Sequence, residues 1–323
     1  MEPTLRPLTL GEILDRTAQL YRSNFLLFAG IASLYAGALL VVGLLQVGAQ
    51  EWLMVHHLTR ELPLLAVAGA LLTFPVIIIC GGLAVAANNR AVAWLYLGEP
   101  ATIRGAYRSI LPRLGRYLWL MTITTLVVWV PCIVLYAGYI AYIVLYAKPR
   151  GVLAGPGATS NPQALVVFLV VSIVFVVLLL GALVYAVLMG LRYSLAVPAC
   201  VVEDIKARAA IRRSIDLSKG ARGRIFLLGL LVVAIDTGLV MVTQMLFFVL
   251  IFKHHGQLPL ALRALQQVVA FLTNTFVGPI YATGFTLFYY DQRVRKEGFD
   301  IEWMMRGAGL SAPEEPEPGR SDA

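Results

Sequence analysis

Charged residues are scarce in this sequence, at 14% of 323 residues, whereas soluble domains carry about 25%. Hydrophobic residues make up 59% of the chain, and the mean hydropathy is +0.79. A soluble fold cannot bury so much apolar surface, so the composition excludes a soluble enzyme or a soluble binding module. We predict that lipid surrounds most of the chain.

Cysteine is rare, and familiar functional motifs are missing. Cys80, Cys132 and Cys200 lie in or beside apolar runs without a CxxC spacing, which favours small buried residues over disulfides or metal ligands. The sequence contains no HExxH, GxSxG, Walker A or dinucleotide-binding pattern. The net charge of +8 does not belong to a soluble basic face, so we expect no nucleic-acid partner. We predict that the protein is not an enzyme and needs no cofactor.

Long apolar runs, by contrast, are abundant. Crossing ~30 Å of hydrocarbon takes about 20 helical residues, and only a backbone that closes its own hydrogen bonds survives in lipid. We predict an all-α membrane protein with about six transmembrane helices, at residues 25–48, 63–88, 117–147, 164–191, 225–252 and 264–290. They belong to a membrane domain, 25–303, between an N-terminal segment, 1–24, and a disordered tail, 304–323. Pro131, inside the third run, predicts a kink or a strong tilt.

Basic residues are distributed unevenly between the two sides of the predicted membrane domain. The N-terminal segment, the second and fourth connections and the C-terminal tail hold 21 of the 26 Lys and Arg residues. Because basic residues favour the cytoplasmic side, both termini are predicted to be cytoplasmic. We expect a multi-pass protein of a bacterial-type plasma (inner) membrane.

Three of the basic segments have the pattern of amphipathic helices at the membrane interface. Thr9 and Glu12 have the spacing of a capping box at the start of the first. The three helices end in similar tripeptides, Tyr21-Arg22-Ser23, Tyr107-Arg108-Ser109 and Arg212-Arg213-Ser214. Each leads into an apolar hairpin, which predicts one unit of amphipathic helix plus hairpin used three times. The alternative is that short basic loops between spans resemble one another by composition alone.

Arginines on these helices are candidates for contact with lipid headgroups. Apolar stripes would dip into the membrane while the guanidinium groups meet anionic phosphates. The candidate residues are Arg22, Arg104, Arg108, Arg208, Arg212 and Arg213. The alternative is that these charges only set the topology. In the third helix, the i,i+4 spacing also predicts the ion pairs Asp204–Arg208 and Arg212–Asp216.

Polar residues inside the predicted spans are few. Asp236 is the one acidic residue deep within a span, where a charge costs from about 2.5 kcal/mol upward. One interpretation is a protonated or hydrogen-bonded carboxyl group that holds helices together, and the other is a proton or cation relay. Asn88 and Asn89 close the second predicted span and are expected to satisfy backbone carbonyls at its end.

The four histidines form two pairs, His56-His57 and His254-His255, in the first and fifth connections. If those connections meet, four imidazoles could bind zinc or copper. Adjacent histidines rarely bind one metal together, so solvated loop histidines are the alternative.

Three segments resemble a known family. They are Arg6 to Asp15 (RPLTLGEILD), Ala210 to Ser214 (AIRRS) and Tyr289 to Gly298 (YYDQRVRKEG). They are similar to bacterial proteins described as having a glycerophosphoryl diester phosphodiesterase membrane domain. In members with activity, a separate catalytic barrel of roughly 250 residues does the chemistry, and the spans here leave no room for one. The resemblance therefore implies a membrane module without the barrel, and it supplies no catalytic residue.

Taken together, these patterns predict a non-enzymatic accessory or scaffold module for membrane lipids or partner membrane proteins. The alternative function is a transporter or channel for a small or lipidic solute, because internal repeats and prolines within spans occur in transporters. The alternative predicts an intramembrane cavity lined by Asp236 and by polar residues of the sixth span. A dry centre filled with leucine and valine would count against it.

Overall fold

The computed structural model describes residues 6–152, 162–253 and 258–307. All regular structure in these ranges is helical. In chain order the α-helices are α1 (Leu10–Ser23), α2 (Phe25–Val55), α3 (Leu62–Val76), α4 (Gly82–Tyr96), α5 (Ile103–Ile110), α6 (Leu114–Tyr142), α7 (Pro162–Tyr193), α8 (Ala196–Val202), α9 (Ala207–Ser218), α10 (Arg222–Lys253), α11 (Leu260–Glu297) and α12 (Phe299–Gly307). A π-helical turn, Ile77–Gly81, joins α3 to α4, and a second, Ile143–Ala147, extends α6.

Six helical segments within the described residues are long and apolar enough to cross a membrane. They are Phe25–Val55, Leu64–Tyr96, Ile103–Ala147, Pro162–Val202, Arg222–Lys253 and Leu260–Glu297. The prediction of an all-α membrane protein with six spans is therefore confirmed. The helices are longer than the predicted apolar runs, because helical hydrogen bonding continues beyond the hydrocarbon region. There, a hydropathy pattern does not show that the helix continues.

The second span shows what this difference changes. Its helix continues to Tyr96, so Asn88 and Asn89 lie inside α4 rather than at its end. The prediction that they satisfy terminal carbonyls is therefore wrong. Pro131 lies within α6, which runs unbroken from Leu114 to Tyr142. Pro75, in contrast, lies two residues before the start of the π-helical turn, a local rearrangement that can re-pair backbone groups freed by a proline.

Side-chain caps start two of the short amphipathic helices. The Glu12 amide donates to Thr9 Oγ1 at 3.3 Å, and the Thr9 amide donates to Glu12 Oε2 at 2.7 Å, which confirms the capping box of α1. Thr102 caps α5 by accepting from the Gly105 amide at 3.1 Å. Both caps satisfy backbone N–H groups that the first turn of a helix leaves open.

The three units overlap in a cyclic manner. Helix α5 packs against α4 and α2, α9 packs against α7 and α8, and α1 packs against α11. Each amphipathic helix therefore lies beneath spans of the preceding unit, and the first lies beneath the last. Equivalent tyrosines make the same kind of contact: the Tyr21 hydroxyl donates to the Phe276 carbonyl at 2.6 Å, and the Tyr107 hydroxyl donates to the Ile31 carbonyl at 2.7 Å.

The ends of the three units also correspond. A residue with positive φ follows the second, fourth and sixth spans: Gly98 at 82°, Asp204 at 56° and Gly298 at 65°. A left-handed residue stops a helix and turns the chain, and glycine adopts it without steric cost. His57 at 57° and Gly151 at 67° make similar turns after the first and third spans, so the cyclic overlap is the observation that supports the predicted threefold repeat.

The main hydrophobic core lies at one end of the bundle. We call this end the basic end, and it is formed by the N-terminal segment, the α4–α5 and α8–α9 connections, and the last turns of α11. Its largest fully buried side chains include Tyr117, Phe288, Tyr289 and Tyr290. Helices α7 and α10 instead expose most of their apolar side chains on the outside, as expected where lipid is the solvent.

Candidate functional site

Exposed arginines cover the surface of the basic end. Of the six predicted headgroup-binding residues, five are exposed and make no ion pair with any residue that the structure describes: Arg22, Arg104, Arg108, Arg208 and Arg212. They are carried by α1, α5 and α9, whose apolar faces pack onto the bundle. The repeat therefore presents uncompensated positive charge three times around one end of the molecule.

Arg213 differs from the other five because it is half-buried and paired. Its Nε and Nη2 both donate to Glu203 Oε1 at 2.9 Å, and its Nη2 also donates to Glu297 Oε2 at 2.7 Å. Burial alone would lower the pKa of Arg213, but the hydrogen bonds and charges of Glu203 and Glu297 outweigh it and raise that pKa. Arg213, on α9, therefore links the end of α8 to the end of α11, and we assign it a structural role in holding these helices together.

Glu203 gathers further partners from α11. The Tyr289 hydroxyl donates to Glu203 Oε1, and Arg293 Nε lies 3.7 Å from the same oxygen. Arg293 also donates to Glu297 at 3.1 Å. Two carboxylates and two guanidinium groups thus neutralise one another at the point where the fourth and sixth spans end.

A second buried network surrounds Asp291, whose side chain has 0% exposure. It accepts from the Leu8 amide at 2.8 Å, from Arg224 at 3.1 Å and from Arg295 at 3.0 Å. Both arginines also donate to the Leu8 carbonyl, at 2.8 and 2.6 Å. The network holds the N-terminal segment against the fifth and sixth spans.

The predicted ion pairs of α9 are wrong. Asp204 lies in the turn before α9 and pairs with Arg113 and with Arg116, the latter at 2.9 Å. Asp216 pairs with Lys219 at 2.8 Å. For Asp204 the i,i+4 rule fails because α9 begins only at Ala207, so Asp204 is not part of the helix. Asp216 lies within α9 but pairs at i,i+3 with Lys219 instead of with Arg212.

Arg90 and Arg192 are half-buried at the basic end and have no carboxylate partner among the described residues. The Nε atom of each is buried without a hydrogen bond. Arg90 lies near the side chain of Tyr117. The buried hydroxyls of Tyr117 and Tyr290 make no well-aligned hydrogen bond with any residue that the structure describes. Positive charge therefore exceeds negative charge inside the basic end as well as on its surface.

Three cavities follow the inner side of α11. The one farthest from the basic end, the far cavity, has a volume of about 220 Å³ and is bordered by Gln46, Thr73 and Gln267. The middle cavity, about 290 Å³, shares Asn274 with the far cavity and is also bordered by Asn88. Neutral hydrogen-bonding groups thus line the interior of the sixth span.

The third, or near, cavity has a volume of about 250 Å³ and shares Val85, Met121 and Thr125 with the middle cavity. Beside it, the Thr286 hydroxyl donates to Asn89 Oδ1 at 2.8 Å, so Asn89 is satisfied by α11. The three cavities therefore adjoin one another in sequence through the middle of the bundle. Neither acidic nor basic residues border any of the three.

Asp236 lies outside these cavities. It is exposed in the middle of α10, and no described residue makes a hydrogen bond or ion pair with it. The neighbouring pairs Leu228–Gly284 and Gln244–Gln266 set the register between α10 and α11. That register places Asp236 at the depth of the buried Thr275. The carboxyl group therefore faces the outside of the described bundle, at hydrocarbon depth.

The predicted metal candidates are not brought together in the described residues. His56 Nδ1 lies 2.8 Å from the Trp52 carbonyl, and the two rings are 4.5 Å apart. His57 ends that turn with φ of 57°. No group of three His, Cys, Asp or Glu side chains suited to a metal occurs in 6–152, 162–253 or 258–307. His254 and His255 lie outside the described residues, so a four-histidine site stays a prediction.

Sequence reasoning missed the buried carboxylates. Asp291 and Glu203 look like ordinary polar residues just beyond apolar runs, and each has a partner far away in the chain, the Leu8 amide and Tyr289 respectively. One available signal was the run Tyr289-Tyr290-Asp291-Gln292, in which large aromatic and polar residues are adjacent at a span end. Asn88 stands out in the sequence as a polar residue beside an apolar run, but hydropathy does not indicate that α4 continues past it into the interior.

Comparisons of this chain with family models, with curated proteins and with solved structures give no match. The geometry of the site is therefore the ground for a functional conclusion.

Proposed function

We propose that this integral membrane protein is a non-enzymatic accessory module that gathers anionic lipids at the cytoplasmic face of a bacterial-type plasma membrane. The observation that carries the proposal is the set of exposed, unpaired arginines on α1, α5 and α9. The basic end then faces the cytoplasm, and both termini lie on that side.

Energetics support this assignment. Each basic residue near an anionic surface contributes on the order of 1 kcal/mol, so five arginines at one depth are worth several kcal/mol. The half-buried Arg90 and Arg192 add charge that no carboxylate in the described residues neutralises. The resemblance to the phosphodiesterase membrane domain fits a module of this kind, which would serve lipids or a partner protein without carrying out chemistry.

The test is a comparison of two charge variants in nanodiscs of equal phosphatidylglycerol and phosphatidylcholine. In the first variant, Arg22, Arg104, Arg108, Arg208 and Arg212 are changed to Gln. In the control, three basic residues from connections at the opposite end, Arg60, Lys148 and Arg150, are changed to Gln. Native mass spectrometry should show phosphatidylglycerol enrichment around the wild type and the control, and its loss in the first variant. Equal enrichment in all three proteins would refute the proposal.

The series of three cavities favours a second candidate, transport of a small or lipidic solute. Adjoining internal cavities along one span are what such a path requires, but Asp236, which the sequence placed in that path, borders none of them. Reconstituted liposomes test it directly: transport predicts movement of a fluorescent lipid or a neutral solute that is slowed by filling the middle cavity. Movement no faster than in empty liposomes would exclude this candidate while leaving the lipid-gathering proposal intact.

A further inference from the structure

The middle cavity combines empty space with an unsatisfied polar group. Asn88 is 3% exposed, yet its Oδ1 has no hydrogen-bond partner. Buried amide oxygens in proteins are almost always paired, and an unpaired one costs about 1–3 kcal/mol. This side chain borders a cavity of about 290 Å³, and a turn of its amide group about the Cβ–Cγ bond would exchange the enclosed Oδ1 with Nδ2, so that a molecule bound there can be its partner.

The chemistry of the walls defines that molecule. Most of the lining is apolar, and it includes Phe74, Ile77 and Ile78 but no charged side chain. A phosphate or a carboxylate would lose its hydration there without compensation. A neutral molecule with a hydrogen-bond donor beside an apolar chain would satisfy both the amide and the walls.

The backbone at the cavity is also unusual. Ile77, Ile78 and Gly81 all belong to the π-helical turn after Pro75, and all three border the cavity. Such turns occur often at functional sites, because the wider turn displaces side chains that would otherwise close the space. Phe74 and Ile77 are half exposed at the outside of the bundle, so the cavity is bordered by residues that also meet the surrounding hydrocarbon.

We propose that the middle cavity binds the polar end of a neutral, hydroxyl-bearing lipid, with the hydroxyl donating to Asn88. At about 30 Å³ for each water-sized group, a volume of this size accommodates roughly ten such groups. The hydroxyl end and the first part of one chain fit inside, and the remainder extends into the membrane. This site is separate from the arginines of the proposed function and does not depend on transport.

The experiment measures binding of radiolabelled oleyl alcohol and of oleyl methyl ether, which lacks the donor, to the full-length protein in nanodiscs. The wild type should bind about one alcohol per chain and prefer it to the ether by on the order of tenfold. Asn88→Ala keeps the space and should abolish that preference. Because the preference is a ratio of two ligands, it does not depend on how much protein is folded.

A second variant tests the space itself. Gly278 borders the cavity, and a Cβ there would meet nothing within 4 Å, so Gly278→Leu fills the cavity without removing a polar group. It should lower binding of both ligands at least tenfold. The control is Gly138→Leu on α6, where a Cβ also meets nothing within 4 Å but which borders none of the three cavities.

Equal binding of alcohol and ether to the wild type, or unchanged binding in Gly278→Leu, would overturn the proposal. Absence of binding would do the same and leave a cavity that holds only water. Retained enrichment of phosphatidylglycerol around these variants would show that the failure concerns this site alone, because the surface arginines are untouched.

Discussion

Asp291 and Asp236 lie on consecutive spans and have opposite surroundings. Asp291, at the basic end of α11, is fully buried and is held by Arg224, Arg295 and the Leu8 amide. Asp236, in the middle of α10, is exposed and has no partner in the described part of the chain. The difference shows that burial in this protein is concentrated where charges neutralise one another. The lipid-exposed helices contribute little to the polar framework.

The largest effect is expected for Asp291. Asp291→Asn removes the buried charge that the partly exposed Arg224 and Arg295 share. Because hydrogen bonds to a charged group contribute about 1.5–3 kcal/mol each, weakening both should cost about 3 kcal/mol or more. Thermal unfolding in mild detergent should show a large fall in midpoint temperature, and Asp236→Asn provides the comparison. If both variants unfold at the same midpoint temperature as the wild type, Asp291 contributes no more to stability than Asp236, and the prediction is wrong.

The second prediction concerns Asp236 itself. Replacing an unpaired acid at hydrocarbon depth by leucine should favour membrane insertion by about 2.5 kcal/mol or more. Asp236→Leu should therefore insert at least as well as the wild type in a translocon-based assay, with no loss of thermal stability. A marked loss of folded protein would show that Asp236 has a partner after all, such as a second chain.

Two adjacent arginines sharpen the comparison further. Arg213 joins Glu203 and Glu297, whereas Arg212 is exposed and unpaired. Hydrogen bonds to charged groups contribute about 1.5–3 kcal/mol, so Arg213→Gln should lower the unfolding free energy by roughly 2 kcal/mol. Surface changes usually stay within about 0.5 kcal/mol, which sets the expectation for Arg212→Gln. If the two variants lose the same unfolding free energy, the ion pairs of Arg213 with Glu203 and Glu297 do not stabilise the fold.

The smallest effect is expected at the cap of α1. Hydrogen bonds from Thr9 lower the pKa of Glu12, so the carboxylate supports the cap above its unfolded pKa. That support is lost as the pH falls through the lowered pKa. Hydrogen exchange of α1 amides should accelerate roughly fivefold in Thr9→Ala at neutral pH, and the difference between the two proteins should shrink in acid. A difference independent of pH would exclude a role for Glu12.

The number of spans, their helical character and the cap of α1 could be predicted from the sequence because each depends on neighbouring residues. Hydropathy does not report where a helix stops, however, and so Asn88 was assigned to a helix end although α4 continues to Tyr96. Asp204 pairs with Arg116, 88 positions earlier, and Asp291 accepts from the Leu8 amide, 283 positions earlier, so no local spacing rule could find these two partners. The cavities likewise depend on residues from three to five helices.

The hydrogen bonds between the Leu8 backbone and the Asp291 network constrain the order of events during biosynthesis. Leu8 bonds to Asp291, 283 positions later in the chain, and Tyr21 bonds to Phe276. The first amphipathic helix can therefore reach its final seat only after the last span has left the ribosome. Its docking against α11 therefore joins the first unit to the last only after the whole membrane domain has been synthesised.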